Sequence, residues 1–259
     1  MRLPLPPLDC HAHVETSIDT DALRSLRAVV VAVTRRPAEW DRALERQDQA
    51  TLWGVGVHPG VREALEEFDS DRFAATTGRA LFVGEIGLDG RAKTDKGRQR
   101  EVFDAILEVL VSDPCPATIH SVGACDQVIA ALRSHPIRAA VLHWWRGNRE
   151  QTEEAIDLGC YFSVNGHEVK KPQTLDLVPK DRLLTETDYP HSRRYDGNAD
   201  RPGRVETVEA ALERKWSVDH LEVRRQLWRN FGAMLAETST LERMPKSVLA
   251  ALATAGFEG

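Results

Sequence analysis

Cysteine is scarce in this sequence, and no two cysteines form a C-x-x-C pair. The chain of 259 residues contains Cys10, Cys115, Cys125 and Cys160, which lie far apart. A disulfide framework or a structural zinc ribbon needs closely spaced cysteines, so this pattern excludes both kinds of scaffold. We therefore expect reduced thiols that mostly fill the core.

Long apolar runs are missing as well. A membrane-spanning helix needs roughly 18 or more consecutive apolar residues, and no such stretch occurs. The segment 1–9 contains one arginine, three prolines and no long apolar run, which is unlike a signal peptide. We expect no membrane span and a cytoplasmic location.

Positive charge is not in excess. The net charge is −6 and the isoelectric point is about 5.9. Proteins that bind nucleic acid without sequence preference are usually basic, so a nucleic acid would have to meet a local basic patch or charge supplied by bound metal ions. The glycine-rich fingerprints of dinucleotide and P-loop sites are absent too.

Short apolar runs alternate with amphipathic segments along most of the chain. Several runs are nearly all apolar, as in AVVVAV, which is typical of strands buried on both faces. Such alternation in about 250 residues predicts a single-domain α/β fold, a (β/α)8 TIM barrel, over an open doubly wound sheet. The predicted strands are 5–11, 28–33, 52–58, 80–86, 117–120, 139–143, 160–164 and 183–187.

Helices are predicted between the strands and after the last one. One domain, residues 1–259, is the simplest organisation, with C-terminal helices at about 203–256 covering the barrel. The clearest helical segments between strands are 37–49, 97–111, 125–134 and 149–158. The C-terminal ones are 203–216, 219–236 and 245–255.

Side chains that bind metals stand at the carboxyl ends of five of these strands. In a barrel those ends converge on one face, where active sites lie. Each residue alone is weak support, but together they favour two divalent ions, Zn²⁺, Mn²⁺ or Mg²⁺, bridged by a carboxylate. The predicted ligands are His11, His13, Glu85, His120, His143 and Asp188.

Strand alternation refines this prediction. His11 and His13 are two residues apart and should project from the same side of their strand, together with Asp9. Cys10 should then point away from the metals. Glu186 stands two residues before Asp188 and could orient a histidine ring from below.

Seven segments, in order along nearly the whole chain, resemble those of the TatD family of nucleases. The end of the chain adds the pair Asn230-Phe231, which is similar to the closing helix of the family. The segments are Asp9-Cys10-His11-Ala12-His13, Gly56-Val57-His58-Pro59, Gly84-Glu85-Ile86-Gly87-Leu88-Asp89, Ile119-His120, His143-Trp144-Trp145-Arg146-Gly147, Gly159-Cys160-Tyr161-Phe162-Ser163 and Glu186-Thr187-Asp188-Tyr189-Pro190.

The resemblance implies a TIM-barrel metallohydrolase that cleaves DNA, often as a 3′-exonuclease. It implies that one metal is held by His11, His13 and Asp188, and the other by His120 and His143. Glu85 would bridge the two ions. Asp188 would also position or deprotonate the attacking water, so Glu85 and Asp188 are the predicted catalytic residues.

The sequence departs from the family pattern in two places. The family often has an arginine shortly after the histidine of the fifth strand, whereas this chain continues with Ser121-Val122-Gly123-Ala124. The segment His191-Ser192-Arg193-Arg194-Tyr195 is also unusual. The chain more weakly resembles TatD-like members of bacterial antiphage gene cassettes, the QatD type, which would imply partner proteins of a defence complex.

Four further residues are candidates for contact with the DNA substrate. His58 could donate to a phosphate oxygen or merely cap a turn beside Pro59. Arg146 follows the sixth strand and could reach phosphate. Arg193 and Arg194 belong to a loop that either contacts the phosphate backbone or is solvated.

Three functions remain open on the sequence alone. The first is cleavage of DNA phosphodiesters, and the second is hydrolysis of a C–N bond by an amidohydrolase of the same barrel type. Glu85 stands where a carbamylated lysine would be expected at the fourth strand, which favours the first. The third is a degenerate barrel that serves as a binding subunit, and the complete set of ligand types argues against it.

Overall fold

Eight parallel strands form a single sheet in the computed structural model, which describes residues 5–170, 173–195, 197 and 199–257. Each strand pairs with the next one along the chain, so the order in the sheet is the order in the sequence. The strands are β1 (Leu8–His13), β2 (Val29–Val33), β3 (Thr51–Val55), β4 (Phe82–Gly87), β5 (Ala117–His120), β6 (Ala140–His143), β7 (Tyr161–Val164) and β8 (Leu183–Thr185).

Helices follow the strands and extend the chain beyond the last one. The predicted helix at 125–134 has the same bounds in the structure, whereas 37–49 is a 3-10 turn at Pro37–Glu39 followed by a shorter helix. They are α1 (Thr20–Ser25), α2 (Trp40–Glu45), α3 (Arg62–Glu66), α4 (Ser70–Thr77), α5 (Lys96–Ser112), α6 (Cys125–Ser134), α7 (Arg149–Asp157), α8 (Gly166–Val169), α9 (Gln173–Leu177), α10 (Glu206–Trp216), α11 (His220–Ala236) and α12 (Lys246–Ala255).

The eight predicted strands are confirmed, with bounds that differ by at most three residues. All five residues of β2 and all six of β4 are buried, as expected for strands covered on both faces. The sequential parallel order identifies a (β/α)8 barrel and excludes the open doubly wound sheet, in which the strand order reverses.

Backbone hydrogen bonds between β1 and the segment after β8 close the barrel. The N–H of His13 donates to the carbonyl of Tyr189 at 2.8 Å, and the N–H of Asp188 donates to the carbonyl of His11 at 2.9 Å. This closure brings His11, His13 and Asp188 side by side. The seam of the barrel therefore coincides with one half of the predicted metal site.

Helix α11 covers the end of the barrel at which the strands begin. The indole N–H of Trp228 donates to the carbonyl of Pro6, and the amide of Asn230 donates to the carbonyls of Lys180 and Leu183, at 2.7 to 2.9 Å. Phe231 stacks on Phe82 with ring centroids 5.9 Å apart. Buried aromatic side chains of this kind stabilise the fold by about 1.5–3 kcal/mol each.

A bulge in β1 breaks the alternation that the sequence predicts. Between Asp9 and Ala12 this strand advances by three residues while β2 advances by two. Cys10 and His11 therefore share the space opposite Val31, as in a β-bulge. Cys10 joins the apolar cluster inside the barrel together with Val31, although strict alternation would place it on the face opposite to His11.

The same bulge corrects the expected orientation of Asp9. Its carboxylate accepts the backbone N–H of Gly203 at 2.7 Å, and Gly203 lies against Ala28 and Val30. Those two residues belong to a cluster separate from the one inside the barrel. Asp9 thus does not share the side of His11 and His13.

Among the described residues, no helix combines the length and apolar character that a membrane crossing requires.

Candidate metal centre

Six side chains from five strand ends meet above the barrel interior, and Glu85 stands at their centre. Glu85 is 1% exposed and lies in β4, two residues before the end of the strand. Its two carboxylate oxygens face different groups of histidines, which makes the carboxylate a divider between two sets of potential ligands.

The first set surrounds Oε2 of Glu85. The Nε2 atoms of His11 and His13 lie 3.6 Å and 3.1 Å from this oxygen. They lie 3.9 Å and 3.6 Å from Oδ1 of Asp188. Two imidazole nitrogens and two carboxylate oxygens therefore converge on one point, as they would around a divalent ion.

The second set surrounds Oε1 of Glu85. Nδ1 of His120 lies 2.6 Å from this oxygen, and Nε2 of His143 lies 2.9 Å from it. These two nitrogens are 3.4 Å apart. The rings of His11 and His143 stack with centroids 3.9 Å apart, so the two sets are immediate neighbours.

Buried polar atoms without hydrogen bonds mark this centre. Among the described residues they include His11 Nε2, Glu85 Oε2 and Asp188 Oδ1. An unpaired buried polar group is costly, and coordination of a cation removes that cost. The groups of three that could hold an ion are His11–His143–Asp188, His11–His13–Glu85 and His58–Glu85–His120.

The electrostatics of the two carboxylates also fit a cation. Burial would raise the pKa of Glu85, but the imidazoles of His58 and His143 hold it well below its usual value. Burial raises the pKa of Asp188 well above its usual value; His143 opposes this shift, while the charges of Glu186 and Glu85 add to it. A divalent ion would relieve this repulsion between carboxylates.

A hydrogen bond orients the ring of His11, and a carboxylate lies behind the ring of His143. Nδ1 of His11 lies 3.0 Å from the hydroxyl of Thr118, which leaves Nε2 directed at the centre. Nδ1 of His143 lies 3.9 Å from the carboxylate of Glu186. The side-chain amide of Asn165 donates to that carboxylate at 3.0 Å and holds it in place. Carboxylates behind metal-bound histidines have this orienting role.

Asp89 orients the ring of His120 and also caps a loop. Its Oδ2 lies 3.3 Å from Nε2 of His120, on the side of the ring opposite Glu85. Its Oδ1 accepts the backbone N–H groups of Arg91 and Ala92 at 2.7 Å and 2.9 Å. The carboxylate therefore combines the orienting role with the capping role that a polar residue has at a turn.

Asp9 ties the strand of His11 to the segment of Asp188. It accepts the backbone N–H of Thr187 at 2.8 Å and its hydroxyl at 2.6 Å, besides the N–H groups of Gly203 and His11. Burial raises the pKa of Asp9 to about 6, although these hydrogen bonds oppose the shift.

Asp188 itself has a φ of 45°, a left-handed conformation that is uncommon for a residue other than glycine.

A cavity of about 370 Å³ opens above the centre, and four arginines line it. Arg146 and Arg194 are among the substrate contacts predicted from the sequence, whereas Arg35 and Arg91 are not. Arg35 stands two residues after the end of β2. Side chains at the carboxyl ends of the strands converge on one face, so Arg35 was predictable in the same way as the metal ligands. The mouth is thus locally basic on an acidic protein.

Arg91 occupies the side of the cavity at which the sequence lacks an arginine. It comes from the loop after β4, and its Cγ lies 3.3 Å from the position that a Cβ on Gly123 would take. A Cβ on Gly90 would lie 2.1 Å from the carbonyl oxygen of Gly123, so the close approach of the two loops requires glycine. Val122 lines the same cavity beside Arg91.

The hydrogen bonding of His58 distinguishes two roles for it. Nδ1 accepts the backbone N–H of Gly60 at 2.9 Å, and Nε2 lies 3.5 Å from Oε2 of Glu85. Burial lowers the pKa of His58 to about 3, which favours the neutral ring. A neutral ring whose Nδ1 accepts a hydrogen bond carries its proton on Nε2. In this tautomer Nε2 can donate to a phosphate oxygen, and it would bind a metal only after losing its proton.

The remaining predicted contacts lie in the segment after Asp188. Arg194 lines the cavity, and Arg193 is exposed and lies outside the lining residues that the structure describes. His191, which sequence reasoning missed, also lines the cavity, and its ring centroid is 4.9 Å from that of His13.

Comparison with known proteins relates the whole arrangement to one family. A family model described as TatD related DNase matches residues 8–236. The 3′-5′ ssDNA/RNA exonuclease TatD of Erwinia billingiae is 30% identical over 182 residues, 66% of each chain. An uncharacterised metal-dependent hydrolase of Bacillus subtilis, YabD, is 27% identical over 226 residues, 77% of this chain and 87% of YabD.

The crystal structure of YjjV, a TatD homologue from Escherichia coli K12, has the same fold. Its TM-score is 0.75 at 23% identity, over 90% of this chain and 96% of YjjV. The matches to three enterobacterial TatD exonucleases span 66%, 60% and 57% of those proteins. Because the family model covers most of the sequence, the chain belongs to the TatD related DNase family.

Proposed function

We propose that this protein is a two-metal phosphodiesterase that removes nucleotides from the 3′ end of DNA. The observation that carries the proposal is that the two carboxylate oxygens of Glu85 face different ligand sets. Oε2 faces His11, His13 and Asp188, and Oε1 faces His120 and His143. A bridging carboxylate between two such sets is the usual arrangement for hydrolysis by paired divalent ions.

The donor set fits two ions of intermediate hardness. His11, His13 and Asp188 would hold one ion, His120 and His143 would hold the other, and Glu85 would be shared between them. Mixed imidazole and carboxylate ligands suit Zn²⁺, Mn²⁺ or Mg²⁺. When bound, such ions acidify water toward neutral pH and offset the charge of a phosphate.

The chain's own groups would orient the reacting atoms. The backbone N–H of Asp188 donates to the carbonyl of His11, which keeps the carboxylate of Asp188 at the centre. This carboxylate would position the attacking water and accept its proton. His58 would donate from Nε2 to a phosphate oxygen. Arg146 and Arg194 would contact phosphate from the cavity wall, with Arg35 and Arg91 as additional donors. Arg193, which is exposed outside the lining, would add a weaker attraction for the phosphate backbone.

The substrate follows from family and charge together. Several relatives are named as 3′-5′ exonucleases of single-stranded DNA and RNA, and the four arginines that line the cavity match a polyanion. We extend the proposal to the cell: one barrel domain, residues 1–259, acts in the cytoplasm with partner proteins of a phage-defence complex. This extension rests on the weaker resemblance to TatD-like members of antiphage gene cassettes, to which the divergent segment 191–195 contributes.

Metal analysis combined with cleavage of end-labelled DNA tests the proposal. The wild type should bind about two ions per chain and shorten DNA from its 3′ end. Glu85→Ala should lose bound metal and lower cleavage by more than about 100-fold, since even residues behind the ligands cost that much. Circular dichroism should show an intact fold, and phage plaque counts would test the cellular role with the same variant.

Glu213→Ala serves as a matched control, because Glu213 is a partly exposed glutamate of α10 whose partner is His220. It should retain metal and activity. Full cleavage by Glu85→Ala would overturn the two-metal mechanism, and absence of cleavage by a metal-loaded wild type would overturn DNA as the substrate.

A further inference from the structure

Three aromatic rings form a cluster, and two of them, Trp144 and Tyr195, lie on the wall of the same cavity. Trp144 and Tyr195 have centroids 5.6 Å apart at an interplanar angle of 80°. The ring of His167 lies 5.6 Å from Trp144 and 4.7 Å from Tyr195. Trp144 follows His143 directly in the chain, so this aromatic cluster, Trp144, His167 and Tyr195, adjoins the metal centre.

Trp144 is presented to the cavity rather than to the core. Trp145 packs in the core at 1% exposed, while Trp144 has a φ of 42° and lines the cavity. A left-handed conformation is costly for a bulky residue and persists where the surroundings enforce it. Trp144 is 8% exposed, and its indole N–H is buried without a hydrogen bond. A ligand that offers an acceptor would satisfy it.

Tyr195 is the accessible member of the cluster. It is 37% exposed, one of few large apolar side chains so exposed among the described residues. Two arginines flank the cluster: Cζ of Arg194 lies 4.8 Å from the centroid of Tyr195, and Cζ of Arg146 lies 4.8 Å from that of Trp144. Cationic groups beside aromatic rings at a cavity mouth match a ligand with both phosphate and a flat ring.

We propose that the aromatic cluster is a subsite for the base of the unpaired terminal nucleotide. The base stacks on Tyr195, an acceptor on its edge receives the indole N–H of Trp144, and the adjoining phosphates meet Arg146 and Arg194. This inference rests on the proposed exonuclease function and adds a specificity element to it. Stacking accepts every base, because each one has a π face.

The subsite selects single strands over duplex ends. A paired terminal base is stacked on its neighbour and bonded to its partner, and it reaches Tyr195 only after both interactions are broken. The terminal nucleotide of a single strand enters without that cost. The preference therefore comes from a protein surface that competes with base pairing, and the metals alone would not provide it.

The test compares two single-stranded oligonucleotides that differ only at the 3′-terminal residue, which is thymidine in one and an abasic tetrahydrofuran residue in the other. The wild type should remove thymidine at least about 10-fold faster, measured as kcat/KM at low substrate, given the usual contribution of base stacking. Tyr195→Ala should lose this advantage and cleave both ends at the rate of the abasic end.

Two variants separate stacking from other causes. Tyr195→Phe keeps the ring and should behave as the wild type. Trp144→Phe removes the N–H and should lower kcat/KM for thymidine, by about 3-fold or more, without changing the abasic end. Equal rates for both ends in the wild type, or an equal loss on both ends in Tyr195→Ala, would overturn the subsite. Cleavage of neither oligonucleotide would overturn the exonuclease function, and the subsite with it.

Discussion

Single residues around the centre act through the rings that they orient. Asp89 is the clearest example, since one carboxylate oxygen lies 3.3 Å from Nε2 of His120 while the other caps the loop of Arg91. The histidine is thereby turned so that Nδ1 faces Glu85. The orienting role was not predictable from the sequence, because the distance from Asp89 to His120 depends on how two neighbouring loops meet.

Asp89→Asn tests the orienting role while it preserves the cap. The amide still offers one oxygen to the N–H of Arg91 but carries no negative charge beside His120. Affinity for the second ion should fall about 10- to 100-fold, as is typical when the partner of a metal-bound histidine is altered. Activity should return when the metal concentration is raised.

Metal titrations followed by activity measure this effect. Asp95→Asn is a suitable control, because Asp95 caps the start of α5 through the N–H of Arg98 and does not contact the described metal ligands. Unchanged metal affinity in Asp89→Asn would restrict Asp89 to its structural role. Loss of activity that extra metal does not restore would point to a direct role in the reaction.

At the scale of elements, strands were easier to predict than the loops that line the cavity. The runs that became β2 and β4 are continuous and apolar, and burial on both faces leaves little ambiguity. The bulge in β1 was not predictable, because alternation assumes that every residue of a strand faces one residue of its neighbour. Its consequence is that Asp9 acts as a tie between chain segments and lies away from the ligands.

Loop positions depend on contacts that no local pattern encodes. Arg91 belongs to the loop after β4 but fills space beside Gly123, which follows β5. The sequence shows only that an arginine is missing after His120. The compensating residue becomes visible once Gly90 and Gly123 bring the two loops together.

The loop after β8 yields a prediction that separates two adjacent arginines. Arg194 lines the cavity and should contact phosphate, whereas Arg193 is exposed outside the lining. Arg194→Ala should raise KM and lower the slope of log KM against log salt by about 0.7, the value for one contact with a single strand. Arg193→Ala should change both quantities less.

Initial rates at several salt concentrations provide the measurement, and the double variant completes the comparison. If the two single variants have the same effect, charge on the loop as a whole attracts the substrate. An unchanged salt slope in the double variant would reject contact between this loop and the phosphate backbone.

At the scale of the whole molecule, the barrel concentrates charge where an acidic protein needs it. The net charge of −6 opposes binding of a polyanion in general, but four arginines line one cavity at the carboxyl ends of the strands. The ligands converge there because parallel strands end on one face. That convergence was predictable from strand order. The grouping of the ligands on the two sides of Glu85 came only from the family resemblance, because spacing along the chain does not determine distances between atoms of different strands.

The same convergence makes the metals part of the stability of the fold. The atoms that would bind them come from β1, β4, β5, β6 and the segment after β8, so bound ions join distant parts of the chain. Glu85 Oε2 and His11 Nε2 are buried without a hydrogen-bond partner, and a bound cation would offset the cost of burying them. An ion that binds only the folded state stabilises it by about 2.7 kcal/mol at one hundred times its Kd.

Removal of metal should therefore lower the melting temperature. For a chain of this size, about 2.7 kcal/mol corresponds to about 5–10 °C. Thermal unfolding of the wild type with saturating metal, and again after chelation, should show this difference. Glu85→Ala should show little of it, because the ligand shared by both ions is lost, and Glu213→Ala should show all of it. A wild-type melting temperature that chelation leaves unchanged would contradict a metal site that spans the barrel.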